Sequence, residues 1–111
     1  MKPRVKLPDN FSETVAETAG KLNIVTSQGR AVLAAAMETA MLCDSKQLDY
    51  GPTNIKAFGE QGVIVRVNDK FERLKTLYSN KRRPKNEPID DSWFDLADYA
   101  LIAITLRRGQ W

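Results

Sequence analysis

The chain contains no histidine, and that absence removes much of the usual catalytic repertoire. Imidazole acid–base chemistry, Ser-His-Asp triads and His-ligated zinc sites are all excluded. Any metal must be held by oxygen ligands, which favours Mg²⁺ or Mn²⁺ over zinc or copper. The single cysteine, Cys43, lies in an apolar stretch. It permits no intrachain disulfide framework and fits a small core thiol in a reducing, cytoplasm-like compartment. No apolar run reaches the ~18 residues of a membrane span. The first eight residues, Met1 to Pro8, are basic but lack the apolar core of a signal peptide. Period-two alternation is also missing, with Gly62 to Val67 the only competitor for a strand.

What is present fits one helical domain. A length of 111 residues suffices for a single core, yet is small enough for oligomerisation to add burial. A hydrophobic content of 42% and a charged content of 28% are ordinary for a globular chain. The formal charge of +3 suits an anionic partner. The excess is uneven: Lys2, Arg4 and Lys6 lie in an N-terminal arm over residues 1–9, and Lys81, Arg82, Arg83 and Lys85 in one loop. Such clusters are solvated surface or, less often, nucleic-acid contacts.

Periodicity predicts about four helices in a compact all-α bundle. The first spans Phe11 to Leu22, burying Phe11, Val15, Ala19 and Leu22, with Asn10 and Glu13 spaced as a capping box. The second starts at Ser27 and reaches Leu42 or Cys43. From Ala31 to Cys43 its only charge is Glu38, so it belongs at the centre of a bundle or at a subunit interface. Glu38 would pair with an Arg or bind metal. Met37, Met41 and Leu42 on this helix point to a homodimer or higher oligomer. Residues 44–59 read as a long connection marked by Gly51-Pro52 and Gly59. A third helix, Glu60 to Tyr78, sets Val63, Val67, Phe71, Leu74 and Tyr78 on one face. Arg66, Asp69 and Arg73 share the other, with Lys70 on its flank. After a loop over residues 79–89, a fourth helix runs from Asp90 or Asp91 to Arg107 and ends in positive charge and Gly109.

The fourth helix carries the most informative pattern. Asp91, Asp95 and Asp98 share one face, whereas Trp93, Leu96, Ala97, Ala100 and Ile104 point the opposite way. Like charges at this spacing repel by roughly 0.2–0.5 kcal/mol a pair even in water. Apolar flanks raise that cost, because a desolvated carboxylate needs a partner. A divalent metal, a row of Arg and Lys, or both must therefore meet the stripe.

Three blocks of sequence go together. They are Lys46-Gln-Leu-Asp-Tyr-Gly-Pro-Thr-Asn54, then Gly62 through Leu77 with its Arg66-x-x-Asp69-Lys70 core, and Glu87 through Ala100 with Asp91-x-x-x-Asp95-Leu-Ala-Asp98-Tyr. In these blocks the chain resembles the nucleotide-modification-associated domain, type one, a family of small and often phage-encoded proteins. More distantly it is similar to the MazG-like all-α nucleoside-triphosphate pyrophosphohydrolases. That group holds Mg²⁺ with a Glu-x-x-Glu pair on one helix and a Glu-x-x-Asp pair on a later one. Asp95-Leu-Ala-Asp98 matches the later pair with Asp in its first position, whereas Glu38 has no Glu three residues away.

The resemblance implies a Mg²⁺-dependent (deoxy)nucleoside triphosphate pyrophosphohydrolase of phage or bacterial nucleotide metabolism, in the host cytoplasm. Metal would be held among Glu38, Asp69, Asp91 and Asp95, with Asp95 and Asp98 serving catalysis. The metal would neutralise the triphosphate and lower the pKa of an attacking water for in-line displacement at phosphorus. Arg66, Lys70 and Arg73 would engage phosphates, and Tyr50, with Lys46 near it, the base or sugar. The alternatives are a non-catalytic nucleotide-binding module, with the acids salt-bridged to Arg66, Lys70 and Arg73, and a nucleic-acid accessory protein.

Overall fold

A computed structural model describes residues 3–79 and 89–111. They form four helices: α1 (Phe11–Lys21), α2 (Ser27–Tyr50), α3 (Thr53–Ser79) and α4 (Ile89–Arg107). The all-α expectation holds, and among the described residues there is no strand. By internal packing the chain divides into two compact units, Met1–Ser45 and Lys46–Trp111. The basic cluster Lys81, Arg82, Arg83 and Lys85, like Lys2, lies outside the described residues. No helix among the described residues is long and apolar enough to cross a membrane.

The first unit holds α1 and most of α2. Val15 and Ala19 of α1 and Thr39 and Leu42 of α2 are its buried residues. The expected capping box does not form: Asn10 makes no side-chain cap, because φ −94° and ψ 19° take it away from the extended backbone that capping needs. Leu22 is not buried but 60% exposed, since it lies beyond the last helical turn. There Asn23 turns left-handed at φ 56°, and Ile24 N–H donates to the Ala19 carbonyl at 2.9 Å. Such a turn satisfies the end carbonyls of a helix. Thr26 caps α2, its Oγ1 accepting from the Gly29 N–H at 2.9 Å. Despite its composition α2 is not a bundle centre: Val32 is 68% exposed, and only Thr39 and Leu42 are buried.

The second unit is a helical hairpin of α3 and α4, joined by the last residues of α2, from Lys46 to Tyr50. The long connection expected over residues 44–59 is mostly helix. Polar residues 44–50 contain no breaker, so α2 continues until Gly51 and Pro52 force a turn. Gly51 adopts φ 69° there, and Trp111 Nε1 donates to the Pro52 carbonyl at 3.1 Å, holding the C-terminus against this turn. α3 starts at Thr53 and is broken once, at Gly59, with φ 60° and ψ −150°.

The rotation of α3 and α4 departs from the apolar pattern. On α3, Val63 and Leu74 are buried as expected, but Phe71 is 53% and Tyr78 65% exposed. Half-buried Arg66, Val67, Lys70 and Leu77 complete the inner stripe instead. On α4 the carboxylate stripe faces inward: Asp98 is buried, beside Ser92, Phe94 and Ile102. Trp93, Ala97, Ala100 and Ile104 face outward.

Gly59 occupies a backbone region that is essentially glycine-only, and nothing lies within 4 Å of where a Cβ would stand. Gly59→Ala is therefore expected to destabilise by roughly 1–3 kcal/mol through backbone strain alone. Thermal and urea unfolding of the full chain would show it; an unchanged midpoint would contradict this conformation.

Candidate functional site

The hairpin gathers charge at one point. Asp95, on the inner face of α4, has 13% of its side chain exposed and receives two ammonium groups. Lys70 of α3 lies 2.8 Å from Oδ2, and Lys46, near the end of α2, 3.3 Å from Oδ1. The two lysines are 24% and 38% exposed, so Lys46 is the more accessible. Each arrives by helical register: Lys70 is one turn past Arg66 and one before Leu74, and Lys46 one turn before Tyr50.

Two opposing effects act on the Asp95 carboxyl. Burial pushes its pKa up, but the Lys70 hydrogen bond and the charges of Lys46 and Lys70 outweigh burial, holding it below the ordinary 3.8. Lys46 and Lys70 share this shielded carboxylate, and the more exposed Lys46 is the side from which an anion can approach the cluster.

Around this point the other expected residues are distributed unevenly. Tyr50 is 71% exposed on the last turn of α2. Arg66 donates through Nη2 to Asn54 Oδ1 at 3.3 Å, within the same helix but across the Gly59 break. Arg73 is exposed one turn beyond Lys70, and Asp69, next to Lys70, is turned to the outside. Asp91 is half-buried and Asp98 buried on the same side of α4 as Asp95. Glu38 belongs to the first unit, where its Oε1 accepts the Arg4 backbone N–H at 2.7 Å and ties down the N-terminal arm. Among the described residues no three Asp, Glu or Cys side chains converge as a metal-sized group.

The structure thus brings together Lys46, Lys70 and Asp95. The expectation that cations meet the acidic stripe is met at Asp95, by Lys70 and Lys46. Sequence reasoning passed over Gln47, whose Oε1 is buried and accepts no hydrogen bond from the described residues. It also missed Ser92, fully buried beside the stripe. Neither carries a sequence signal, because a lone amide or hydroxyl on a helix is ordinary surface chemistry.

Comparison with protein-family models, curated proteins and solved structures finds no match to this chain. The resemblance noted above therefore rests on its three blocks. Each block supplies one member of the cluster: Lys46 the first, Lys70 the second and Asp95 the third.

Because the folded carboxyl ionises below the ordinary 3.8, its stabilisation is complete above that value and is lost as pH falls further, through the lowered value. Asp95→Asn is expected to destabilise by about 1.5–3 kcal/mol at neutral pH, the scale of a charge-assisted hydrogen bond. The gap from wild type should close in strong acid. Unfolding midpoints across pH 2–7 test this, and a gap independent of pH would contradict the ionised cluster.

Proposed function

We propose that the chain is a nucleotide-binding helical protein that holds its ligand by phosphate at the Lys46–Asp95–Lys70 cluster. The observation that carries this reading is the convergence of two ammoniums on one shielded carboxylate, with the Lys46 side chain still 38% exposed to solvent. Asp95 acts as a positioning residue, fixing both lysine heads where a phosphate can meet them. Arg66 and Arg73, on the same side of α3 as Lys70, extend the cationic surface to a second phosphate. Tyr50 stands one turn from Lys46 and is largely exposed, which suits stacking on a base or sugar.

The pyrophosphohydrolase reading is kept for one reason. Asp98 and Asp95, one turn apart on the inner face, form a carboxylate pair beside the phosphate-binding lysines. Mg²⁺ commonly uses only one or two carboxylates when substrate phosphates and waters complete its shell. Asp95 and Asp98 would hold such a metal, which would neutralise phosphate charge, while Lys46 and Lys70 would face the phosphates. Under this reading the chain would be a Mg²⁺- or Mn²⁺-dependent hydrolase of (deoxy)nucleoside triphosphates, and Asp91 a further ligand.

Calorimetric titration with common and modified deoxynucleoside triphosphates, in Mg²⁺, Mn²⁺ or EDTA, distinguishes the two when paired with pyrophosphate detection. The binding reading expects affinity that persists in EDTA, no pyrophosphate, and at least about tenfold weaker binding in Lys46→Met. A tenfold loss corresponds to ~1.4 kcal/mol, close to the low end of the ~1.5–3 kcal/mol of a charged hydrogen bond. Metal-dependent pyrophosphate release, lost in Asp95→Asn, would establish hydrolysis instead. Absence of binding across the panel would overturn both.

A further inference from the structure

The outward face of α4 has no role in the charge cluster, yet it carries a row of exposed apolar residues. Trp93 is 51% exposed, Ile104 44% and Leu101 42%, with exposed Ala97 and Ala100 between them. Positions 93, 97, 100 and 104 are spaced four, three and four residues apart, the seam spacing of paired helices. A helix turned so that its carboxylates face inward leaves this seam outside as the direct consequence. Exposed apolar residues in a continuous row, unlike scattered ones, mark an interaction surface.

The row also has a symmetry that identifies its occupant. Trp93 and Ile104 lie equally far from the midpoint between residues 98 and 99, and so do Ala97 and Ala100. Set antiparallel against itself, the helix brings each large side chain opposite the other large one, and each alanine opposite an alanine. Small residues at the centre let two helices approach near the short end of the ~8–10 Å interaxial range, while Trp93 and Ile104 close the two ends. The charges follow that symmetry to within one residue. Asp90 and Arg108 lie about five helical turns apart, along one edge of the row. Antiparallel pairing places Asp90 of one copy beside Arg108 of the other, on both ends at once. Arg107 is already held by Glu60 at 3.2 Å within the unit, which leaves Arg108 as the cation for that edge.

We propose that the outward face of α4 is a homodimer interface, in which two copies pair antiparallel about a two-fold axis through the Ala97–Ala100 segment, flanked by reciprocal Asp90–Arg108 contacts. A self-complementary patch of this kind is what a two-fold interface requires. The proposal does not rest on nucleotide binding, since it uses the opposite face of α4 from the Lys46–Asp95–Lys70 cluster.

Sedimentation equilibrium of the full chain, with circular dichroism as the control for folding, tests it. Wild type is expected to be a dimer at tens of micromolar. Ile104→Glu is expected to weaken association at least about thirtyfold, the scale of an interface hot spot, with helicity retained because Ile104 is half exposed in the single chain. Should that variant lose helicity, the charge reversals decide. Asp90→Arg or Arg108→Asp alone should weaken the dimer about two- to fivefold, as rim ion pairs do, and the double reversal should restore it. A monomeric wild type, a folded Ile104→Glu that dimerises as tightly as wild type, or a double reversal without recovery would each overturn the proposal.

Discussion

The ion cluster at Asp95 is the constraint on which the second unit depends. A carboxylate that is largely removed from water is tolerable only when cations meet it, because its desolvation cost exceeds what packing alone returns. Lys70 and Lys46 meet that condition from α3 and from the end of α2. They thereby tie the last turn of α2, the middle of α3 and the first half of α4 to a single point. Asp98, buried one turn further along, continues the polar strip. The inner surface of the hairpin is therefore divided between this strip and the buried apolar residues Leu74, Phe94 and Ile102.

That division explains an otherwise puzzling distribution of apolar residues. A hairpin set only by hydrophobic pattern would bury Phe71 and Tyr78 on α3, and Trp93 and Ile104 on α4. Instead these four are about half exposed or more. Bringing Lys70 to Asp95 rotates α3 towards Arg66, Lys70 and Leu74, and it rotates α4 towards its aspartates. The displaced aromatics find local partners: Trp93 Nε1 donates to the Tyr78 hydroxyl at 3.4 Å, and the Lys75 ammonium sits 5.2 Å from the Phe71 ring centre. The proposed phosphate site on the inner face and the proposed pairing surface on the outer face thus both depend on one helix orientation. They would evolve under a shared constraint, because any change that rotates α4 moves both.

Much of this architecture was legible before any coordinates. Four helices and no strand among the described residues, the start of α1 at Phe11 and of α2 at Ser27, and the end of α4 beside Gly109 all follow from periodicity and punctuation. The need for cations against Asp95 follows from charge spacing alone. Less legible was the length of α2, because polar residues 44–50 look like a loop until the absence of any breaker is given its proper weight. The capping role expected of Asn10 also failed, since capping depends on the φ and ψ of one residue, which its neighbours set. Glu38 illustrates a different limit. Its isolation in an apolar helix showed that it needs a partner, and one that it finds is the Arg4 backbone N–H, a group nearly every residue possesses.

Sequence by itself determined the inventory: an oxygen- and nitrogen-based chemistry without imidazole, an all-helical chain, an acidic stripe on the last helix and the cations able to answer it. Those properties are local, fixed by residue type and by 3.6-residue periodicity. Tertiary structure decided that Lys70 and Lys46 answer Asp95, and which face of α4 turns inward. A helix with an acidic side and an apolar side can bury either one, and its own sequence does not rank them. The ranking comes from what α3 presents across the hairpin, where an ammonium 2.8 Å from Asp95 makes the acidic side the inner one.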